Sequence, residues 1–268
     1  MKTKIVISLS IILISCFSYA QSDSLYLKAI QPNWSISAAI NSVEAQMDQK
    51  LFDTWVFPSA NYYAYFGDKH DKSLSLSIIP KYRIADDVFL RFEFGITGIY
   101  LVSRYNGIND SNSNSAAANI IKIDTIRQKI YRFATGIQWD FIKMKFIESY
   151  CGASLYYLYY SKMYWSDYIT DNFTNQHGNH TASTSGGFAT GIGAFAGINI
   201  YLRKHISIGG EFSYSLLYYK IGGMQNGTYQ RITNNVMDVN EKWAIANNAS
   251  TGMQFSKVMP SLNLTIRF

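Results

Sequence analysis

Apolar and polar residues alternate along eight stretches of this chain, at residues 32–42, 73–84, 88–104, 124–142, 146–163, 187–202, 205–221 and 251–268. A period of two is what a pleated strand shows when its two faces meet different surroundings. In 88–104, Leu90, Phe92, Phe94, Ile96 and Tyr100 share one face, and Arg91, Glu93, Gly95 and Thr97 the other. In 124–142, Tyr131, Phe133, Ile137 and Trp139 oppose Arg132, Ala134, Gly136, Gln138 and Asp140. Each stretch exceeds the roughly 9–11 residues with which a tilted strand crosses a bilayer. Strands of a sandwich usually have only about 5–6 residues. The connections alternate too: 85–87, 143–145 and 203–204 are tight, whereas 43–72, 105–123, 164–186 and 222–250 are long and polar. Long loops on one side and short turns on the other, with both termini on the short side, predict an all-β fold. The expected architecture is a transmembrane antiparallel up-and-down β-barrel of eight strands, with ten as the alternative. The ambiguity lies in 43–66. Asn41 with Glu44 makes a capping box, and Val43, Met47, Leu51 and Trp55 follow at helical spacing up to Pro58. Alternatively, 50–57 and 60–66 form a further strand pair. Pro80 and Pro260 fall inside strands, where each marks a bulge or a misplaced boundary.

The polar faces collect Lys81, Arg83, Arg91, Arg132 and Lys257 with Glu93, Asp140, Glu148 and Glu211. A Lys or Arg turned to lipid costs roughly 2–4 kcal/mol at the midplane, so these side chains are expected inside, as an ion-pair network. An eight-stranded barrel is just wide enough to be filled by its own side chains. Gly186, Gly187, Gly191 and Gly193 then read as small lumen positions. Tyr156, Tyr157, Tyr159, Tyr160, Tyr164, Tyr218 and Tyr219 gather at the outer strand ends, and Trp139, Phe141 and Phe268 at the opposite rim. They predict two aromatic girdles.

Composition supports this picture. Aromatics make up 16% of residues, with 21 Tyr, and charged residues also 16%, below the usual quarter or so. Mean hydropathy is near zero, and no apolar run long enough for a membrane helix follows the first twenty residues. Those twenty read as a signal peptide: Lys2 and Lys4, then an apolar run from Ile5 to Ile14 too short to span, then Ser18-Tyr19-Ala20. Cleavage between Ala20 and Gln21 would leave 21–268 as the barrel domain. The alternative is a lipoprotein box, Leu13-Ile14-Ser15-Cys16, with Cys16 lipidated. Without residues 1–20 the net charge falls from +6 to +4, with no basic block, so nucleic acid is not an expected partner. Cys151 is then the only thiol, which excludes an intrachain disulfide and a thiolate metal site.

The last residues, Ser261 to Phe268, alternate strictly and end on an aromatic. With the export signal and the loop parity, they make the chain resemble the small bacterial outer-membrane barrels of the OmpA and OmpX type, and the broad "outer membrane beta-barrel" or "porin family" group. The resemblance covers residues 32–268. It implies residence in the cell outer membrane, contact with outer-membrane lipid and lipopolysaccharide, and recognition of Leu264, Ile266 and Phe268 by the barrel-assembly machinery. No soluble domain is expected after Phe268. The group includes structural barrels, surface-binding proteins, narrow channels and a few enzymes, so the resemblance is specific for architecture alone.

Three constellations could carry chemistry. His205-x-Ser207 with Glu211 is similar to the His-x-Ser pair of barrel lipid A deacylases, although the spacing to Glu211 departs from that pattern. His177 and His180, near Asp167 and Asp171, could hold a divalent ion; the plain alternative is a flexible Asn/Gly/Thr-rich loop. Asp110, Asp167, Asp171 and His177 could gather at the outer rim as the acids and His of an aspartyl-type barrel protease. The third has no local motif behind it, and no cofactor, metal or catalytic residue is expected. The expected function is a non-enzymatic structural or surface-binding role through the outer loops, toward an unidentified extracellular ligand, with Trp165, Tyr168, Phe173, Met224 and Tyr229 as contacts. A narrow porin for small solutes is the alternative, and a lipid-modifying enzyme the second.

Overall fold

The computed structural model describes residues 33–41, 68–71, 74–109, 118–144, 146–171, 176–234, 236–256 and 258–268. The signal segment, the lipoprotein box, the helix-or-strand question at 43–66, Asp110 and Phe173 fall outside them.

Twelve strands follow in order: β1 (Trp34–Asn41), β2 (Asp68–Asp71), β3 (Leu74–Ala85), β4 (Val88–Asn109), β5 (Ala118–Lys143), β6 (Ile147–Tyr160), β7 (Met163–Asp171), β8 (Gln176–Thr184), β9 (Gly187–Arg203), β10 (Ile206–Thr233), β11 (Val236–Phe255) and β12 (Met259–Arg267). All pairings are antiparallel. Eight of the strands close a ring, β1-β3-β4-β5-β6-β9-β10-β12, and β12 returns to β1. The eight-stranded barrel expected from the alternation is therefore the fold observed. Closure runs from Ser35↔Arg267 to Asn41↔Ser261.

The other four strands prolong the wall above the ring. β7 continues β6 along β5 after an interruption at Ser161–Lys162, and β8 precedes β9 along β10 with an interruption at Ser185–Gly186. β11 precedes β12 along β10 in the same way, and β2 pairs with the outer part of β4. The segments read as long loops at 164–186 and 222–250 are thus largely strand. Polar residues recur on both faces of these hairpins, so the apolar alternation that marks a half-buried strand is weak there.

The prolines are accommodated without distorting the register. Pairing of β3 with β4 lapses at Ile79 and Pro80 and resumes in the same register at Lys81↔Arg91. Pro260 pairs with Phe212 on β10 in the register of its neighbours. At Pro80 the lapse in the ladder suits a residue that has no N–H to give.

Exposure follows the sequence alternation inversely to that of a soluble protein. Phe94, Ile137, Leu155, Ile192, Phe212 and Leu262 are exposed on the outside, while Lys81, Arg91, Glu93, Arg132 and Glu211 are buried within. On β5 the outward apolar run spans Tyr131 to Phe141, about the 9–11 residues of a tilted membrane strand. Trp139, Phe141 and Phe268 are exposed at the short-turn end, and Tyr157, Tyr159, Tyr164 and Tyr218 near the other. Tyr156 and Tyr160 depart from the girdle expected of them. They have the lumen parity of β6 and are buried inside.

Candidate functional site: the lumen and the outer mouth

Seven of the nine charged residues expected in the lumen form two clusters rather than one network. At mid-barrel, Arg91 from β4 donates through both terminal nitrogens to Glu211 of β10, at 2.6 and 2.8 Å. Tyr150 Oη on β6 donates to the same carboxylate at 3.0 Å. Arg132 and Ser77 both donate to Glu93 at 3.0 Å, and Arg132 also reaches Met259 Sδ at 3.3 Å. Lys81 lies 4.9 Å from the Tyr150 ring centroid, and the Arg91 guanidinium 4.1 Å from that of Phe195. Glycine parity makes this packing possible: a Cβ at Gly197 would stand 2.5 Å from Tyr150 Oη. The second cluster closes the short-turn end. There Glu148 accepts from Arg267 and Tyr201, and Gln138 donates to Asp140 at 2.8 Å. Lys143 reaches Asp87 at 2.8 Å and Asp140 at 3.9 Å.

The remaining two expectations fare differently. Arg83 lies at the rim, where it donates to Asn33 Oδ1 at 3.0 Å, rather than in either buried cluster; it sits too close to the end of its strand to reach them. Lys257 falls outside the described residues. Tyr150 and Arg267 were missed as partners, although both share the parity of the charged lumen residues on their own strands.

Above the mid-barrel cluster the lumen turns apolar, contrary to the expected polar filling. Ile99, Ile126, Ile130, Tyr156, Leu158, Tyr160, Met163, Ala189, Leu217 and Ile221 pack together there, with Ile130 and Ile221 each 1% exposed. Apolar residues on the lumen face of a strand look the same in sequence as apolar residues on the outer face when both occur in one stretch, as in Ser154–Tyr160.

Above this plug, the prolonged wall carries a polar and aromatic inner face. Asp124 and Asp167 are paired across β5 and β7, with Lys122 Nζ 3.5 Å from one and 3.6 Å from the other. His180 Nδ1 lies 3.1 Å from Asp167, and its ring stacks on Tyr229 at 4.1 Å and on Trp165 at 6.2 Å. Gly227 leaves room for the Trp243 ring across β10 and β11. Burial pushes the Asp124 carboxyl up to about 6; Lys122 opposes this and the Asp167 charge adds to it. Of the expected contact residues, Trp165 and Tyr229 meet at His180. Tyr168 instead stacks on His177 on the outer face, and Met224 is exposed at the β10 irregularity.

The described members of the chemical constellations do not converge, and Asp110 lies outside the described residues. Glu211 is engaged by Arg91 and Tyr150, while His205 occupies the turn below and Ser207 lies buried beside Thr265. His180 and His177 engage different partners, Asp167 and Tyr168. Among the described residues no three His, Cys, Asp or Glu side chains converge on a common point.

No protein-family model and no curated protein matches the chain. Solved structures align with it at low identity and low TM-score. Neisserial surface protein A (NspA) is 11% identical over 88% of this chain and 96% of its own, with a TM-score of 0.34. A major outer membrane protein from Thermus thermophilus is 11% identical over 88% and 99%, with a TM-score of 0.37. The Acinetobacter baumannii outer membrane protein Omp33 is 8% identical over 90% and 100%, with a TM-score of 0.18.

Proposed function

From its closed eight-stranded ring, the fold of the small outer-membrane β-barrels, we propose that this chain is an integral outer-membrane protein. It is exported by the segment ending at Ala20 and works through its outer wall and mouth in a non-enzymatic, structural or surface-binding role. The reading of membrane residence rests on the inverted exposure, apolar outside and charged inside, which water would not tolerate and lipid requires. The reading of a surface role rests on the lumen. A bidentate Arg91–Glu211 pair, a Tyr150 and Phe195 layer and the apolar plug from Ile99 to Ile221 occupy the axis on which a solute would travel. The mouth above carries a partly exposed aromatic surface, Trp165, His180, Tyr229 and Trp243, set over the paired Lys122, Asp124 and Asp167.

The test is single-channel conductance of the exported chain in a planar bilayer, with a heat-modifiable gel band as proof of folding. Silence from a folded barrel is the expected outcome. Reproducible conductance steps would overturn the surface role in favour of a narrow porin. Unchanged lipid A by mass spectrometry after overexpression is expected as well, and a new lipid species would establish an enzyme instead.

A further inference from the structure

We propose that Asp140 and Glu148 share one proton, and that this proton latches the short-turn end of the barrel. Both carboxyls are on the inner face, at 2% and 0% exposure. The β5–β6 register shifts between Asp140 and Ile142, which sets Glu148, paired with Lys143, diagonally below Asp140, paired with Tyr150. The two carboxyls lie within hydrogen-bonding reach of each other. Asp140 Oδ2 and Glu148 Oε1 are both buried with no protein donor. Two carboxylates at this range repel, and a hydrogen bond between them needs a proton on one. The partners decide which one carries it. Glu148 accepts from Arg267 of β12 and Tyr201 of β9, and both donors favour its anion. Asp140 accepts from the neutral Gln138 amide at 2.8 Å, with Lys143 Nζ 3.9 Å away. Asp140 is therefore the acid and Glu148 the acceptor. A single carboxylate thus ties β5, β9 and β12 to β6 across the floor of the lumen.

A metal ion suits these oxygens less well than a proton. Arg267, Lys143 and Lys81, which approaches from β3, already surround the pair with positive charge. Among the described residues no third carboxylate, imidazole or thiol joins it. The floor also holds a polar route to the pair. Gln138 Oε1, both amide atoms of Asn199, Ser207 Oγ and Arg267 Nε are likewise buried without a protein partner. Asn199 is the cross-strand partner of Glu148, and Ser207 that of Tyr201, close to the short turn after Arg203. Buried polar atoms of this kind are ordinarily satisfied by water, which relays protons between the pair and the short-turn side. Loss of the shared proton would leave two adjacent anions beside the rim bonds Tyr201 N–H to Phe146 O, at 2.8 Å, and Arg267 N–H to His205 O, at 2.9 Å. The floor is thereby pH-sensitive.

The test is infrared spectroscopy of the exported full chain, folded in detergent at pH 7, with isotope-labelled aspartate. The background is the double variant Asp124→Asn, Asp167→Asn, which leaves Asp140 as the one buried aspartate among the described residues. A protonated-carboxyl stretch that moves with the label is expected there, and its loss when Asp140→Asn is added. The new amide supplies the donor to Glu148, so the heat-modifiable band should stay. Hydrogen exchange reads the latch. From pH 7 to pH 9, exchange at the Tyr201 and Arg267 amides, corrected for intrinsic rates, should rise about tenfold more in the wild type than in Asp140→Asn. The groups facing the pair, Lys81, Lys143, Tyr150, Tyr201 and Arg267, are common to both chains, as are Glu211 behind Tyr150 and Asp87 at Lys143, so their titrations cancel in the comparison. Absence of the labelled band, its survival in Asp140→Asn, or equal exchange in the two chains would each overturn the proposal. Loss of the band on adding calcium, with its return on chelation, would put a metal ion in the pair and overturn it too. If Asp140→Asn does not fold, the double variant decides: a labelled band upholds the shared proton, and its absence overturns it.

Discussion

Glu211 accepts hydrogen bonds from Arg91 and Tyr150 in a space sealed by Phe195 below the plug. Removing one charge of such a pair leaves the other buried and uncompensated, which costs about 3–5 kcal/mol. Glu211→Gln is therefore expected to lower the urea midpoint of unfolding sharply, read as loss of the heat-modifiable band, and still to yield no conductance. Gly197→Ala should destabilise as well, because its methyl group would meet Tyr150. Asp124 offers a pH test. Its folded carboxyl titrates near 6 against an ordinary value near 3.8, so the folded wall holds this proton more tightly than the unfolded chain. The contribution to stability is largest at pH below about 4 and is lost as pH rises through 6. Hydrogen exchange along β5 and β7, corrected for intrinsic rates, should be slower at pH 5 than at pH 7, with Lys122 and Asp167 as the charged groups beside the carboxyl. Asp124→Asn should abolish the difference.

At the scale of the element, strict alternation made the ring strands legible, since one face meets apolar surroundings and the other a filled lumen. Arg91, Glu93, Arg132 and Glu211 could be assigned inward on parity alone. Their exact partners could not: a barrel brings strands together by closure, and Arg91 meets Glu211 across 120 residues of sequence. β7, β8 and the part of the β10–β11 hairpin beyond Ile221 were illegible because polar residues, chiefly Thr, Ser and Asn, recur on both faces. The interruptions at Ser161–Lys162 and Ser185–Gly186 separate these hairpins from the ring. Replacing residues 162–185 with an Asn-Gly turn should therefore keep β5-β6-β9-β10 paired and the folded band intact, while removing the Trp165–His180–Tyr229 stack. Loss of the folded band would show that the ring depends on its outer wall.

For the whole molecule, the ring encloses two stacked fillings, ionic toward the short turns and apolar toward the mouth. The two fillings act differently. The ion pairs fix which residues face which across the barrel, and the apolar layer excludes water from the same axis. The outer wall then extends above this closed section with basic positions outside and acids inside.

The seam between β1 and β12 carries a temporal consequence. Ser37 and Thr265 share a hydrogen bond across 228 positions of sequence, so the first ring strand waits for the last one. Until Arg267 lies against Ser35, β1 and β12 each present an open row of donors and acceptors, the kind of edge that recruits the wrong neighbour. Closure that depends on so distant a contact is slow. The protein thus spends its longest vulnerable interval as a nearly complete sheet with two bare sides, and whatever escorts it must shield both sides until the final strand arrives.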